Sequence, residues 1–171
     1  MQLTDIRRET ACCFTGHRPG KLPGGYSGDH SRLRLALRDA IYRTQQEGYD
    51  TFISGMALGC DTWAAEEVLA MRAAGKPVRL VAARPCPGQE RRWSPDDRTR
   101  YRRLMEQADA IYTACDAYTP YCMGARNLWM VEHASRLIAL FDGTPGGTAN
   151  TVKLAQERRL EIVRLIPDEY R

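Results

Sequence analysis

Six short apolar, β-rich runs recur along this chain, and helical patterns fill most of the gaps between them. The runs are Ala11 to Phe14, Thr51 to Ile53, Val78 to Ala82, Ala110 to Tyr112, Leu137 to Phe141 and Ile162 to Ile166. Strand alternating with helix leaves few solutions: the strands pair mostly in parallel, and helices cover both faces of the sheet. Leu33, Leu37, Ala40 and Ile41 share one face of a helix that ends at Gly48. A second helix is expected from about Thr62 to Ala74, stopped by Gly75 and capped by Asp61. A third opens with Ser94 as N-cap, Pro95 at the first helical position and Asp97 three residues after the cap. Two more are expected from about Asn127 to Ala134 and from Thr148 to Arg158. With 171 residues, 43% of them hydrophobic, residues 1–171 fit one domain that needs neither disulfides nor metals.

The six cysteines, Cys12, Cys13, Cys60, Cys86, Cys115 and Cys122, form no Cys-x-x-Cys pair and no zinc-ligand spacing. The first residues lack the apolar core of a signal peptide, and no apolar stretch approaches the about 20 residues of a membrane span. A reduced, cytoplasmic protein without membrane contact, metal or cofactor is the expectation. Net charge is +4 and the isoelectric point about 8.8, which permits an anionic partner but falls short of the dense basic tracts of dedicated nucleic-acid binders. Between Arg84 and Arg103 seven arginines face three acids; a solvated helix face accounts for that excess without any ligand.

Two glycine-bearing turns, Ser54 to Asp61 and Gly143 to Thr148, each follow a strand and precede a helix. Glycine lets backbone N–H groups close on an anion, and the positive end of the following helix favours the same charge. Right-handed crossovers bring these turns and the Thr15-Gly16-His17-Arg18 loop to the carboxyl ends of strands, where open α/β sheets bind ligands. Arg18 suits bidentate contact with a phosphate and His17 can donate to one, although turn residues in a surface loop explain the same tetrad. Asp61 reads as a helix cap, with a ribose hydroxyl as the sharper alternative.

The Thr15-Gly16-His17-Arg18-Pro19 start, the Ser54-Gly55-x-Ala57-x-Gly59-x-Asp61-x-x-Ala64-Ala65 turn, the Pro87-Gly88-Gln89-Glu90-x-x-Trp93 loop, Arg126-Asn127-x-x-Met130 and Gly146-Gly147-Thr148 resemble, in order, the YpsA-like family of the SLOG superfamily. The resemblance runs from about residue 11 to 166. It implies a Rossmann-like, three-layer α/β/α fold and a pocket for a nucleotide-derived ligand. In that pattern Gln89 and Glu90 form a polar wall. An arginine at a helix start opposes the helix dipole, so an anion between Arg126 and the Gly146-Gly147 turn would resolve the cost.

Two relatives in that superfamily frame the alternatives. The LOG phosphoribohydrolases pair an arginine segment with Pro-Gly-Gly-x-Gly-Thr-x-x-Glu; here Arg126 and Pro145-Gly146-Gly147 match, but Lys153 falls where the glutamate should be. A lysine repels the oxocarbenium-like charge of glycoside cleavage, so Glu132, Asp142 or Glu90 would have to substitute. The DNA-processing protein DprA carries a turn like residues 54 to 61 and binds single-stranded DNA, but Trp93, Tyr118 and Tyr121 make few aromatics for a stacking platform. The expected site therefore comprises Thr15, Gly16, His17, Arg18, Ser54, Gly55, Gly59, Asp61, Gln89, Glu90, Arg126, Asn127, Gly146, Gly147 and Thr148. Its expected occupant is a nucleotide-like small molecule; N-glycosidase activity on a nucleoside monophosphate and single-stranded nucleic-acid binding are the alternatives. Related folds often dimerise through helices, so a homo-oligomer is compatible with the chain.

Overall fold

The computed structural model describes residues 1–171. The strands β1 (Ala11–Gly16), β2 (Thr51–Ser54), β3 (Arg79–Arg84), β4 (Ala110–Thr113), β5 (Arg136–Leu140) and β6 (Glu161–Leu165) alternate with α1 (Ser31–Gln46), α2 (Cys60–Ala73), α3 (Pro95–Gln107), α4 (Cys122–Glu132) and α5 (Gly147–Glu157). All six strands are parallel, in the order β4-β3-β2-β1-β5-β6. This is a three-layer, Rossmann-like α/β fold. The chain winds outward from β1 to β4, then returns to lay β5 against the free side of β1. The order therefore reverses between β1 and β5, the kind of place where open sheets leave a crevice at the strand carboxyl ends.

The sheet is buried on both faces, which is why its strands read as continuous apolar runs. Cys12, Phe14, Phe52, Leu80 and Ala82 pack with Leu37 and Ile41 of α1, Val68 of α2 and Leu104 of α3. Their alternates Cys13, Ile53, Val81 and Ala83 pack with Met130 and Val131 of α4 and Val152 and Ala155 of α5. Period-two alternation thus divides the strands between two cores.

Helix starts depart from expectation at two places. α4 begins at Cys122, about a turn earlier than Asn127, because Cys122 and Met130 belong to the same buried face and tertiary packing extends the helix over a polar-looking approach. α2 begins at Cys60 behind Gly59 as N-cap, so Asp61 is not the cap. Its carboxylate accepts instead from the Ala57 N–H at 3.3 Å, within the preceding turn. Ser94 caps α3 as expected, accepting from Asp97 N at 3.1 Å.

Candidate functional site

The loop ends of β1, β2, β3 and β5 build two adjoining regions, a floor and a wall. The floor forms where β2 runs out. Ser54 Oγ donates to Asp61 O at 2.8 Å and accepts from Met56 N at 3.1 Å. These bonds fold the chain back so sharply that buried Met56 adopts φ 58°, a left-handed conformation rare for a non-glycine residue. Gln89 steadies that turn by donating to Met56 O at 3.4 Å. Gly55 is irreplaceable on steric grounds: a Cβ there would lie 2.7 Å from Arg126 Nη1 and 2.8 Å from Asp61 Oδ2.

Arg126 and Asp61 therefore face each other across Gly55, both buried, without a direct ion pair. Arg126 reaches Gly55 O with Nη1, and the same nitrogen lies 3.3 Å from Ala83 O. Its Nε donates to Asn127 Oδ1 at 2.7 Å. None of these bonds runs to the Gly146-Gly147 turn, so the expected anion between Arg126 and that turn is not needed. The arginine sits inside α4 and satisfies carbonyls at the ends of β2 and β3 instead. Burial pulls the Arg126 pKa down while Asp61 raises it. Burial likewise pushes Asp61 up, to about 6, against the lowering effects of Arg126, the Ala57 N–H and Arg18.

The wall forms at the β1/β5 reversal. His17 N donates to Leu140 O at 3.1 Å, carrying the ladder one residue past β1. The buried ring lies against Phe141 and places Nε2 2.7 Å from Asp142 Oδ1. Thr144 donates to the same oxygen twice, from Oγ1 at 2.7 Å and from N at 2.8 Å. The Thr144 bonds, then the His17 contact, hold Asp142 well below the usual carboxylate range despite some desolvation. Thr15 O accepts from Cys60 Sγ at 3.5 Å, and a Cβ on Gly16 would fall 2.5 Å from Cys60 Cβ. Gly59, at φ +87°, lies under the His17 and Pro19 backbone. Gly146 takes φ 148° as the N-cap of α5, without side-chain capping, and Lys21 Nζ lies 3.1 Å from where its Cβ would be. Gly147 meets nothing within 4 Å, and Thr148 follows it in the first turn of α5.

Beyond the floor opens a cleft of about 740 Å³, lined by Arg18, Cys86, Gln89, Arg91, Arg92, Trp93 and Tyr118 among others. Arg18, Arg91 and Arg92 form no ion pair there. Several arginines elsewhere are matched: Arg72 with Asp109 at 2.7 Å, Arg100 with Glu66 at 2.5 Å, and Arg136 with Glu161 at 2.8 Å. Trp93 stands edge-on to Tyr101, with centroids 5.4 Å apart. Gln89 reaches the cleft, but Glu90 turns away from it toward α3, with Oε1 3.7 Å from Arg102 Nε and Oε2 buried without a partner. The cleft borders the floor through Gln89. The sequence undervalued Arg91, Arg92 and Tyr118 because an unpaired arginine looks like a solvated one until its neighbours are known.

The profile of the YspA SLOG family (YpsA) matches residues 12–164. The chain belongs to this family. It is similar to the SPbeta prophage-derived protein YoqJ of Bacillus subtilis (strain 168), 30% identical over 151 residues, 80% of this chain and 86% of YoqJ. Among solved structures it resembles DNA processing protein A from Streptococcus pneumoniae, with a TM-score of 0.66, 14% identity, and coverage of 95% of this chain but 52% of that one. It also resembles the DprA of Helicobacter pylori, described for its single-stranded DNA binding mode, with a TM-score of 0.62, 18% identity, and coverage of 91% and 65%. At those identities the likeness is one of fold. For the SLOG family member described here, no helix is long and apolar enough to cross a membrane.

Proposed function

We propose that this SLOG protein binds a nucleotide or nucleotide-derived small molecule at the strand carboxyl edge, with the cleft taking the base and the arginines its phosphate. The observation that carries the reading is the convergence of three arginines on one cleft. Arg18, Arg91 and Arg92, three arginines without an ion pair, line one concave surface of nucleotide-accommodating size, beside Trp93 and Tyr118. The Arg18 to Lys21 loop links that cleft to the uncapped, glycine-led start of α5, which offers a second place for a phosphate. Asp61, whose carboxyl burial pushes up to about 6, has the proton affinity that acid–base chemistry on a bound molecule would use, although it lies outside the cleft lining. Lys153, exposed on α5, offers no such group.

Thermal unfolding against nucleoside mono-, di- and triphosphates, dinucleotides and ADP-ribose tests the proposal. A ligand at one hundred times its dissociation constant adds about 2.7 kcal/mol of stability. The shift should disappear in Arg18→Ala, an exposed position that the fold does not need. A shift that survives Arg18→Ala places the ligand elsewhere, and product analysis with the shifting nucleotide decides between binding and hydrolysis. A second reading has one observation in its favour: Tyr118, which lines the cleft, and Tyr121 three residues on are 75% and 81% exposed, as stacking residues for single-stranded nucleic acid would be. That reading predicts a shift with oligonucleotides alone, erased by salt.

A further inference from the structure

Helix α1 carries an exposed row that nothing in the chain covers. Leu35, Asp39 and Arg43 recur every fourth residue, so they line up along one side of the helix. The same three residues line two separate hollows, one of about 650 Å³ and one of about 460 Å³. A row that walls two hollows is a ridge with a groove on either side. The deeper groove runs between α1 and the edge strand β6, over Ala36, Ala40, Val163 and Leu165. The shallower one lies on α1 itself, between the ridge and the next row of the same kind, Arg38 and Tyr42, whose guanidinium sits 5.4 Å from the ring centroid. Rows of residues four apart, with grooves beside them, are how helices interlock. Neither groove shares a residue with the arginine-lined cleft.

We propose that this face binds a second copy of the chain, with α1 packed antiparallel against its counterpart about a two-fold axis. Charge favours a copy over an unrelated partner. Asp39 and Arg43 are both exposed, and neither makes an ion pair or a side-chain hydrogen bond within the chain, although residues at that spacing can pair along a helix. Their neighbours on α1 are matched: Arg34 lies 3.2 Å from Glu66 and Arg38 4.0 Å from Glu67. A surface that holds both signs one turn apart becomes its own complement when reversed. A two-fold axis crossing α1 between residues 39 and 43 sets Asp39 of one protomer opposite Arg43 of its partner, and repeats the pair with the roles exchanged.

Leu35, 55% exposed, is the apolar member of the ridge. An opposing row seated in the deeper groove removes Leu35, the Arg43 stem and the groove's apolar residues from water, which supplies the attraction. The two reciprocal charge pairs fix direction and register. Because the cleft contributes nothing to either groove, each protomer keeps its own cleft.

Sedimentation velocity of the full chain from low to high micromolar concentration tests this, with circular dichroism on each variant as the check on folding. The wild-type chain should convert from monomer to dimer as concentration rises. Leu35→Glu places a charge on the ridge and should raise the dissociation constant by about a hundredfold. Asp39→Arg and Arg43→Asp should each raise it by about tenfold or more, because each sets like charges against one another at two places across the axis. The double exchange, Asp39→Arg with Arg43→Asp, restores both pairs and should return the constant to within about threefold of wild type. All three positions are exposed and carry no contact that the fold requires. A chain that stays monomeric throughout, a dimer untouched by Leu35→Glu, or a double exchange no tighter than the single ones would overturn the proposal.

Discussion

The floor and the wall of the candidate site each present one aspartate, and their surroundings drive the two in opposite directions. Asp61 accepts a single long bond from Ala57 N and is enclosed by Gly55 and the Arg126 side of α4, so desolvation dominates. Asp142 takes three donors at its Oδ1 and keeps contact with solvent, so hydrogen bonding dominates. Two identical side chains a few residues beyond β2 and β5, the strands on either side of β1, thus become a carboxyl that titrates at about 6 and a fixed anion. Environments that separate a pair of carboxylates in this way are how a site obtains both a proton-exchanging group and a permanent charge.

Removing the floor's cation should give the largest effect. Arg126→Ala leaves the Gly55 and Ala83 carbonyls without their donor and Asp61 without its nearest compensating charge. A loss of about 4 kcal/mol in urea unfolding is expected. Gly55→Ala drives a methyl into the same guanidinium and carboxylate and should cost about 3 kcal/mol. Either variant unfolding at the wild-type midpoint would mean that the floor is loosely packed.

The two carboxyls then separate by pH. Asp61 has a folded pKa above its unfolded value, so the folded state binds the extra proton. Its protonated form favours the fold at low pH, and that advantage disappears as pH rises from about 4 to about 6, by at most about 3 kcal/mol. Asp61→Asn should remove that downward slope and match or exceed wild-type stability at pH 8. Asp142 has a depressed folded pKa, so its contribution is complete above about pH 4 and declines as pH falls further. Asp142→Asn should cost about 1–2 kcal/mol at pH 7, discounted for partial exposure, and flatten the acid limb of the profile. Parallel pH profiles in the two variants would erase the distinction between floor and wall. The smallest expected effect is Gly147→Val, within about 0.5 kcal/mol of wild type because nothing lies near its added Cβ. That variant sharpens the comparison by crowding the α5 turn while leaving both aspartates intact.

The fold was largely legible. Strand runs such as Val78 to Ala82, buried on both faces, announce a parallel sheet through composition alone, and Ser94-Pro95 marks a helix start by local chemistry. The site was legible as a set of loops but not as roles. Gly55 and Gly59 were visible as constrained positions, whereas Glu90 facing α3 and Arg126 facing carbonyls were not.

Local patterns settle which segments become strands, helices and turns, because periodicity, capping and glycine act over a few residues of chain. Strand order is different in kind: only the return of β5 to the side of β1 brings His17 to Asp142, 125 residues away in sequence. The same return places α4 so that Arg126 meets Gly55. Burial and charge compensation are properties of what surrounds a side chain, and for this protein those surroundings come from distant segments. The sequence by itself therefore determined the architecture and the edge where chemistry collects, while the packing of that edge decided which aspartate releases its proton at the higher pH.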